Sequence, residues 1–133
     1  MLQPSNVPRV QAQPLWSHDN RPFSARTSQR LCDLTALAAG AAFAVPARAL
    51  HAPTRRAPAV AFARQAAMYL AHVAFGLNLS EVAGGFGRDR TTVAHACRLV
   101  EERRDDLAID AVLAALEAAC ASLRRRLSAE VRP

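Results

Sequence analysis

The densest run of side chains able to recognise a nucleic acid lies between residues 88 and 95. It reads Arg88-Asp-Arg-Thr-Thr92 and is followed by His95. An arginine fork pairs with guanine, a carboxylate accepts from the cytosine amine, and a threonine methyl packs on the thymine methyl. Exposed N–H groups at a helix start also favour a phosphate. The run predicts contact with duplex DNA, and an ordinary solvated helix start capped by an aspartate is the alternative.

Two helices separated by a glycine-containing turn are predicted to present this run. Ser80 is typical of an N-cap, so a short helix is expected from there until Gly87 interrupts it. Asp89 is the predicted N-cap of a second helix that continues to about Arg104. Its inner face consists of Val93, Ala96, Cys97 and Val100. Residues 80–104 therefore predict a helix-turn-helix whose second helix enters the major groove by its N-terminal residues.

The remaining periodic segments are also helical. From Ser28, a helix is expected on Leu31, Leu34, Thr35 and Ala38, with Gly40 weakening it and Pro46 ending it. A single turn over Ala47–Leu50, a loop over residues 51–58 and a helix from Ala59 to Phe75 follow, with Gly76 as the terminating residue. The apolar stripe expected on that helix consists of Val60, Ala63, Ala67, Leu70, Ala71 and Ala74. Asp110 is the expected cap of a last helix to about Leu127, on Val112, Leu113, Leu116, Ala119 and Leu123. Because no segment alternates as a strand does, the fold class is predicted to be all-α, a multi-helix domain.

Composition divides the chain into three parts. Residues 1–27 contain four prolines among polar residues and are expected to be a disordered tail. The alternative is that Leu15, Trp16 and Phe23 form a short docking motif within it. Residues 28–127 are the predicted DNA-binding domain, and residues 128–133 are a C-terminal tail.

The charge distribution favours a polyanionic partner for the N-terminal hundred residues. All 17 basic residues are arginine, and residues 1–100 hold eleven of them against four acids. The sign reverses afterwards, because Glu101, Glu102, Asp105 and Asp106 follow in quick succession. These carboxylates repel phosphate, so the second helix is expected to leave the duplex by about residue 100.

Other chemistries find little support. The three cysteines lack the spacing of a disulfide framework or a zinc site, and His51, His72 and His95 share no metal-ligand spacing. No nucleophile and base are placed to act together, so we expect neither an enzyme nor a cofactor nor a metal. The longest apolar stretch is too short to span a bilayer and no signal peptide is indicated, so a cytoplasmic, nucleoid-associated protein is expected.

Three segments carry a resemblance to a known family: Ala63-Arg-Gln-Ala-Ala-Met-Tyr-Leu-Ala71, Leu79-Ser-Glu-Val82, and Phe86-Gly-Arg-Asp-Arg-Thr-Thr-Val-Ala-His-Ala-Cys-Arg98. From about Ser28 to about Leu127 the chain resembles the C-terminal DNA-binding domain (domain IV) of the bacterial replication initiator DnaA, which contains a Trp-repressor-like helix-turn-helix. The family reads approximately A-R-Q-x-A-M-Y-L, L-x-E-I and F-G-G-R-D-H-T-T-V-x-H-A in these segments.

The resemblance implies a role for each matching residue. Arg56, with Arg55 beside it, matches a basic-loop arginine that enters the minor groove. Arg64 and Gln65 match residues near the phosphate backbone, and Arg88 matches an arginine of the turn. The recognition-helix matches, which meet bases or backbone, are Asp89, Thr91, Thr92 and His95. With Ser80 and Arg90, the predicted DNA-binding residues are Arg55, Arg56, Arg64, Gln65, Ser80, Arg88, Asp89, Arg90, Thr91, Thr92 and His95.

Two departures from the family pattern bear on specificity. The turn is one residue shorter, and Arg90 stands where the family has a base-contacting histidine. Arginine is longer, permanently charged and better matched to guanine, which predicts DNA binding with an altered or relaxed sequence preference.

The expected activity is sequence-specific binding of double-stranded DNA by a stand-alone reading domain. The 133 residues contain no lysine and hence no phosphate-binding loop, so regulation of transcription or of replication initiation is expected to proceed without ATPase activity. A homodimer, or a replication or transcription protein, is a further candidate partner. The alternative is a protein-interaction module that uses the helical fold as a scaffold.

Overall fold

The computed structural model describes residues 23–52 and 57–131, with side chains as far as residue 127. Within these ranges the chain is helical and contains no strand, which confirms the all-α prediction. The helices are α1 (Ala25–Phe43), α2 (Ala47–Leu50), α3 (Pro58–Val73), α4 (Leu79–Phe86), α5 (Arg90–Arg103) and α6 (Leu107–Val131).

Helix α3 forms the centre of the domain. Its middle section is buried on every side, from Ala66 through Ala71 without interruption. The predicted apolar stripe was therefore only part of the buried surface of this helix. A helix that is apolar all round packs against neighbours on several sides, and α1, α4, α5 and α6 all contact α3.

Helix α1 begins three residues earlier than its periodicity predicted. Ser24 is the N-cap, and its hydroxyl accepts a hydrogen bond from the Thr27 amide at 3.1 Å. Gly40, predicted to weaken the helix, has a positive packing role, because a Cβ atom there would overlap the Val45 carbonyl oxygen. The glycine lets the chain fold back across the helix end and continue into α2.

Helix α6 also differs from its predicted limits. It begins at Leu107, since the Asp106 carboxylate accepts hydrogen bonds from the amides of Ala108 and Ile109, and Asp110 lies within the first turn. It continues past Leu127 to Val131. Val112, predicted to face inward, is 36% exposed, whereas Leu113 is completely buried.

The core places α4 and α5 firmly against the rest of the domain. Val82 and Phe86 of α4, and Val93 and Val100 of α5, are each at most 2% exposed. None of the helices in the described ranges combines the length and apolarity needed to cross a membrane.

Candidate nucleic-acid interface

Helix α4 is capped by Asn78, and the prediction that Ser80 is the N-cap was wrong. The Asn78 side chain accepts from the Glu81 amide, while the Glu81 carboxylate accepts from the Asn78 amide, both at 2.8 Å. This reciprocal capping box satisfies two backbone donors and begins the helix at Leu79. Ser80 therefore lies in the first turn, exposed to solvent.

The connection between α4 and α5 is a tight turn over Gly87, Arg88 and Asp89. Gly87 adopts the left-handed conformation, with φ of 64°, which confirms the prediction that it ends the first helix. Asp89 caps α5 as predicted, because its Oδ1 accepts from the Thr92 amide at 2.8 Å. Hydrogen bonds from the Thr92 backbone and side chain lower the pKa of the fully exposed Asp89 carboxyl, so the cap is ionised near neutral pH.

Helix α5 has one face in the core and the opposite face in water. Val93, Ala96 and Val100 are almost completely buried. The exposed positions are Arg90, Thr91, Thr92, Ala94, His95 and Arg98. The fold thus brings four of the predicted DNA-reading residues together on one uncovered helix surface, directly after the turn that holds Asp89.

Arg98 belongs to this surface, although it was not among the predicted site residues. One of its terminal nitrogens lies 3.2 Å from Nδ1 of His95, and both side chains are exposed. The signal was present in the sequence, because residues three apart on a helix are neighbours. Arg98 extends the reading surface by one turn, to within three residues of the acidic end of α5.

Arg64, which the resemblance places near the phosphate backbone, has a buried side chain in this structure. It is 6% exposed, and its Nε donates to the Leu50 carbonyl at 2.9 Å. Its Nη2 lies 3.1 Å from the Ala49 carbonyl and 3.4 Å from that of Ala52. The guanidinium satisfies the carbonyls at the end of α2, groups that a helix leaves without partners. Gln65, the next residue along α3, is half-buried.

Arg88 is half-buried and directed toward the protein. Its Nη2 donates to the Ala52 carbonyl at 2.6 Å, and its Nη1 donates to the Phe86 carbonyl at 3.0 Å. Arg55 and Arg56, the predicted minor-groove residues, lie outside the described residues, in the segment that follows Ala52.

The thiols have the character of core residues. Burial raises the pKa of Cys32 to about 12 and of Cys97 and Cys120 to about 11, so none is an activated nucleophile. No cluster of histidine, cysteine and carboxylate side chains suited to a metal ion occurs in the described part of the chain.

Comparison with protein families bears on the function of this surface. The model of the bacterial DnaA protein helix-turn-helix matches residues 38–100, just under half of the 133 residues. Over this segment the chain is similar to the bacterial DnaA helix-turn-helix family. The match extends from the second half of α1 to the last buried valine of α5, and all eleven predicted site residues fall within it.

The match to the DnaA helix-turn-helix family implies DNA binding by this domain. The match favours a helix-turn-helix over an ordinary capped helix start, because the exposed surface of the second helix is the one that reads DNA in helix-turn-helix proteins. The family's activity is binding rather than catalysis.

Proposed function

We propose that the protein binds specific double-stranded DNA sequences by placing the N-terminal half of α5 in the major groove. The observation that carries this proposal is the division of α5 into a core face and a reading face. Arg90, Thr91 and His95 project from a helix whose opposite side is locked by buried valines, so their positions are preorganised. Base edges in the major groove present the donors, acceptors and methyl groups that these side chains match.

Electrostatics support the same orientation. Arg90 and Arg98 are cationic residues of the reading face, and Asp89 is the N-cap at the start of α5. Glu101 and Glu102 are exposed one turn after Arg98. The helix therefore approaches the duplex by its N-terminal end and diverges from the phosphates at its C-terminal end.

The proposal extends to a second contact and to a biological role. Arg55 and Arg56 enter the adjacent minor groove, as the family resemblance implies, and add affinity through a narrow and strongly negative groove. The protein regulates transcription or replication initiation by occupying its sites in the nucleoid, without hydrolysing ATP. Homodimers, or a bound replication or transcription protein, would set the spacing of such sites.

Binding-site selection on a randomised duplex, followed by titration at several salt concentrations, tests the proposal. A selected sequence should emerge, and affinity should fall on the order of a thousandfold or more between low and moderate salt if six or more phosphates are contacted. Arg90→Ala should reduce binding to the selected duplex. Arg126→Ala is the matched control, since it removes one exposed arginine from α6.

A flat salt response would overturn the proposal, as would equal effects of the two substitutions. Either result would favour the protein-interaction module, with the helix-turn-helix as a scaffold. The exposed Leu107, which is 83% accessible at the start of α6, would then be the first position to test for protein binding.

A further inference from the structure

The backbone carbonyl of Ala52 lies within hydrogen-bond distance of two arginine side chains, one from α3 and one from the turn between α4 and α5. Arg88 Nη2 donates to it at 2.6 Å, and Arg64 Nη2 lies 3.4 Å away. A carbonyl oxygen has two lone pairs and can accept from both. Hydrogen bonds with a charged donor are about twice as strong as neutral ones, so the Arg88 hydrogen bond attaches the turn strongly to the Ala52 carbonyl.

The second terminal nitrogen of the Arg88 guanidinium contacts backbone carbonyls of the turn. Nη1 donates to the Phe86 carbonyl at 3.0 Å, while the Gly87 carbonyl lies 3.4 Å away. One planar group thus joins the last residue of α4 to the backbone oxygen of Ala52, which lies 36 residues before Arg88 in the chain. The fork geometry of arginine suits such bridging, which a lysine ammonium does not reproduce.

A second contact joins the same two segments. The His51 ring stacks on the Phe86 ring, with centroids 5.0 Å apart and planes inclined by 11°. His51 Nε2 also lies 3.8 Å from the Asp33 carboxylate of α1. His51 and Ala52 are therefore held by α1, by α3 through Arg64, and by the turn.

The orientation of this turn sets the direction in which α5 begins. Only Gly87, Arg88 and Asp89 separate the two helices, and Arg90 and Thr91 follow at once. We infer that Arg88 is a positioning residue: it clamps the turn onto the Ala52 carbonyl and thereby aims the first turn of the recognition helix, rather than contacting DNA. This inference rests on the proposed function and reassigns a residue predicted to bind DNA.

The two roles of Arg88 make different predictions for Arg88→Gln. Loss of a phosphate contact weakens binding to all duplexes and lowers the slope of log K against log salt by about one. Loss of positioning lowers discrimination instead. We expect the ratio of selected-site to random-duplex affinity to fall about tenfold, while random-duplex affinity and the salt slope stay nearly constant.

Hydrogen exchange in the protein without DNA gives an independent measure. In Arg88→Gln, the amides of residues 86–90 should exchange faster, while those near Val100 keep their protection. Arg88→Lys retains the charge without the fork, so it should restore little discrimination. Arg90→Ala is the control, because it should weaken selected-site binding without altering exchange in the turn.

Unchanged discrimination in Arg88→Gln, or a lowered salt slope with normal exchange in the turn, would overturn the inference. If Arg88→Gln fails to fold, His51→Ala cuts the stacking contact of the same clamp and should lower discrimination at constant salt slope. If the unmodified protein does not discriminate among duplexes, the proposed function fails. The exchange experiment would still report whether Arg88 holds the turn.

Discussion

Arg90 is one of the two departures from the DnaA family pattern, and it lies on the exposed face of α5. It is exposed in the first turn of α5, directly beyond the Asp89 cap. An arginine there can pair with both acceptors of a guanine edge, whereas a histidine offers one ring nitrogen at a time. The length and charge of this side chain should therefore decide which base is preferred at one position of the site.

Arg90→His is the corresponding test. We expect the selected sequence to change at one base pair, with loss of guanine preference there and little change at the other positions. A well-made bidentate contact contributes about 1–3 kcal/mol of discrimination, so the preference should change by roughly ten- to a hundredfold. Binding-site selection with both proteins measures it. Identical selected sequences would show that Arg90 does not read a base.

Arg98 should act differently from Arg90 because of its place on the helix. It lies two turns further along, beside His95 and close to the first carboxylates of the C-terminal end of α5. At that distance from the helix start, a phosphate is the expected partner. Arg98→Ala should weaken binding to all duplexes similarly and lower the salt slope by about one.

Arg98→Lys is the informative control. A phosphate accepts a point charge, so lysine should retain most of the affinity, whereas lysine at position 90 should lose base preference. Fluorescence anisotropy on the selected duplex and on a scrambled duplex, each at three salt concentrations, distinguishes the two arginines. A sequence-dependent effect of Arg98→Ala would contradict this assignment.

At the scale of elements, α4 is held against α1 by the closeness of Gly85 and Cys32. A Cβ at Gly85 would come within 2.8 Å of the Cys32 Cβ and would overlap its Sγ, and Cys32 is completely buried. The neighbouring Gly84 is the opposite case, since a Cβ there meets nothing within 4 Å. Gly85 therefore permits the close packing of α4 on α1, whereas Gly84 is not needed for that contact.

Gly85→Ala should destabilise the domain by about 1–3 kcal/mol, because the added methyl overpacks a rigid contact. Gly84→Ala should stabilise it by about 0.5–1 kcal/mol, since alanine is the better helix former in an open position. Urea unfolding followed by circular dichroism compares the two variants. Equal effects would mean that α4 can shift away from α1 without loss.

The elements also show why some predictions succeeded. Asp89 and Gly87 were predicted correctly because a cap and a left-handed glycine act on residues within one turn. The same local rules misplaced the start of α4, because Asn78 and Ser80 are both good N-cap residues. The reciprocal hydrogen bonds between Asn78 and Glu81 make Asn78 the cap. The family resemblance supplied the helix-turn-helix, which the periodicity also indicated.

Arg64 and Arg88 could not be placed from the sequence. The carbonyls that tie them to distant parts of the chain lie 12 to 36 residues away, and nothing in the local pattern distinguishes a buried arginine from an exposed one. Burial of a charged side chain depends on the whole fold, because only tertiary packing brings acceptors to it. The reading face was predictable, whereas the groups that hold it in place were not.

At the scale of the whole molecule, α6 is attached to the domain by a polar cluster around Arg104. The side chain of Arg104, 19% exposed, pairs with Asp110 at 2.5 Å and with Glu117 at 2.9 Å. It also donates to the Tyr69 hydroxyl at 3.1 Å, and that hydroxyl donates to Glu101 at 2.6 Å. Burial raises the pKa of Tyr69, with the Glu101 hydrogen bond acting in the same direction, so the phenol stays protonated.

This cluster joins the central helix α3, the end of α5 and the start of α6. Burial lowers the pKa of Arg104, but hydrogen bonds to Asp110, Glu117 and Tyr69 outweigh it and raise the pKa. Arg104→Ala should therefore leave two carboxylates without a cation and lower the free energy of unfolding by about 2 kcal/mol. The loss should appear in urea unfolding as a lower midpoint.

Arg103→Ala is the matched control, because the guanidinium of this neighbouring residue lies over the Phe62 ring at 4.6 Å and takes no part in the ion pairs of Arg104 with Asp110 and Glu117. Loss of that exposed cation–π contact should lower stability by only about 0.5–1 kcal/mol. In the folded state, Arg104→Ala should bind the selected duplex as well as the unmodified protein, since the cluster lies at the end of α5 remote from Arg90. If folded Arg104→Ala discriminated less well between the selected duplex and other duplexes, α6 would also help to orient α5 on the DNA. Residues beyond position 100 would then contribute to sequence recognition.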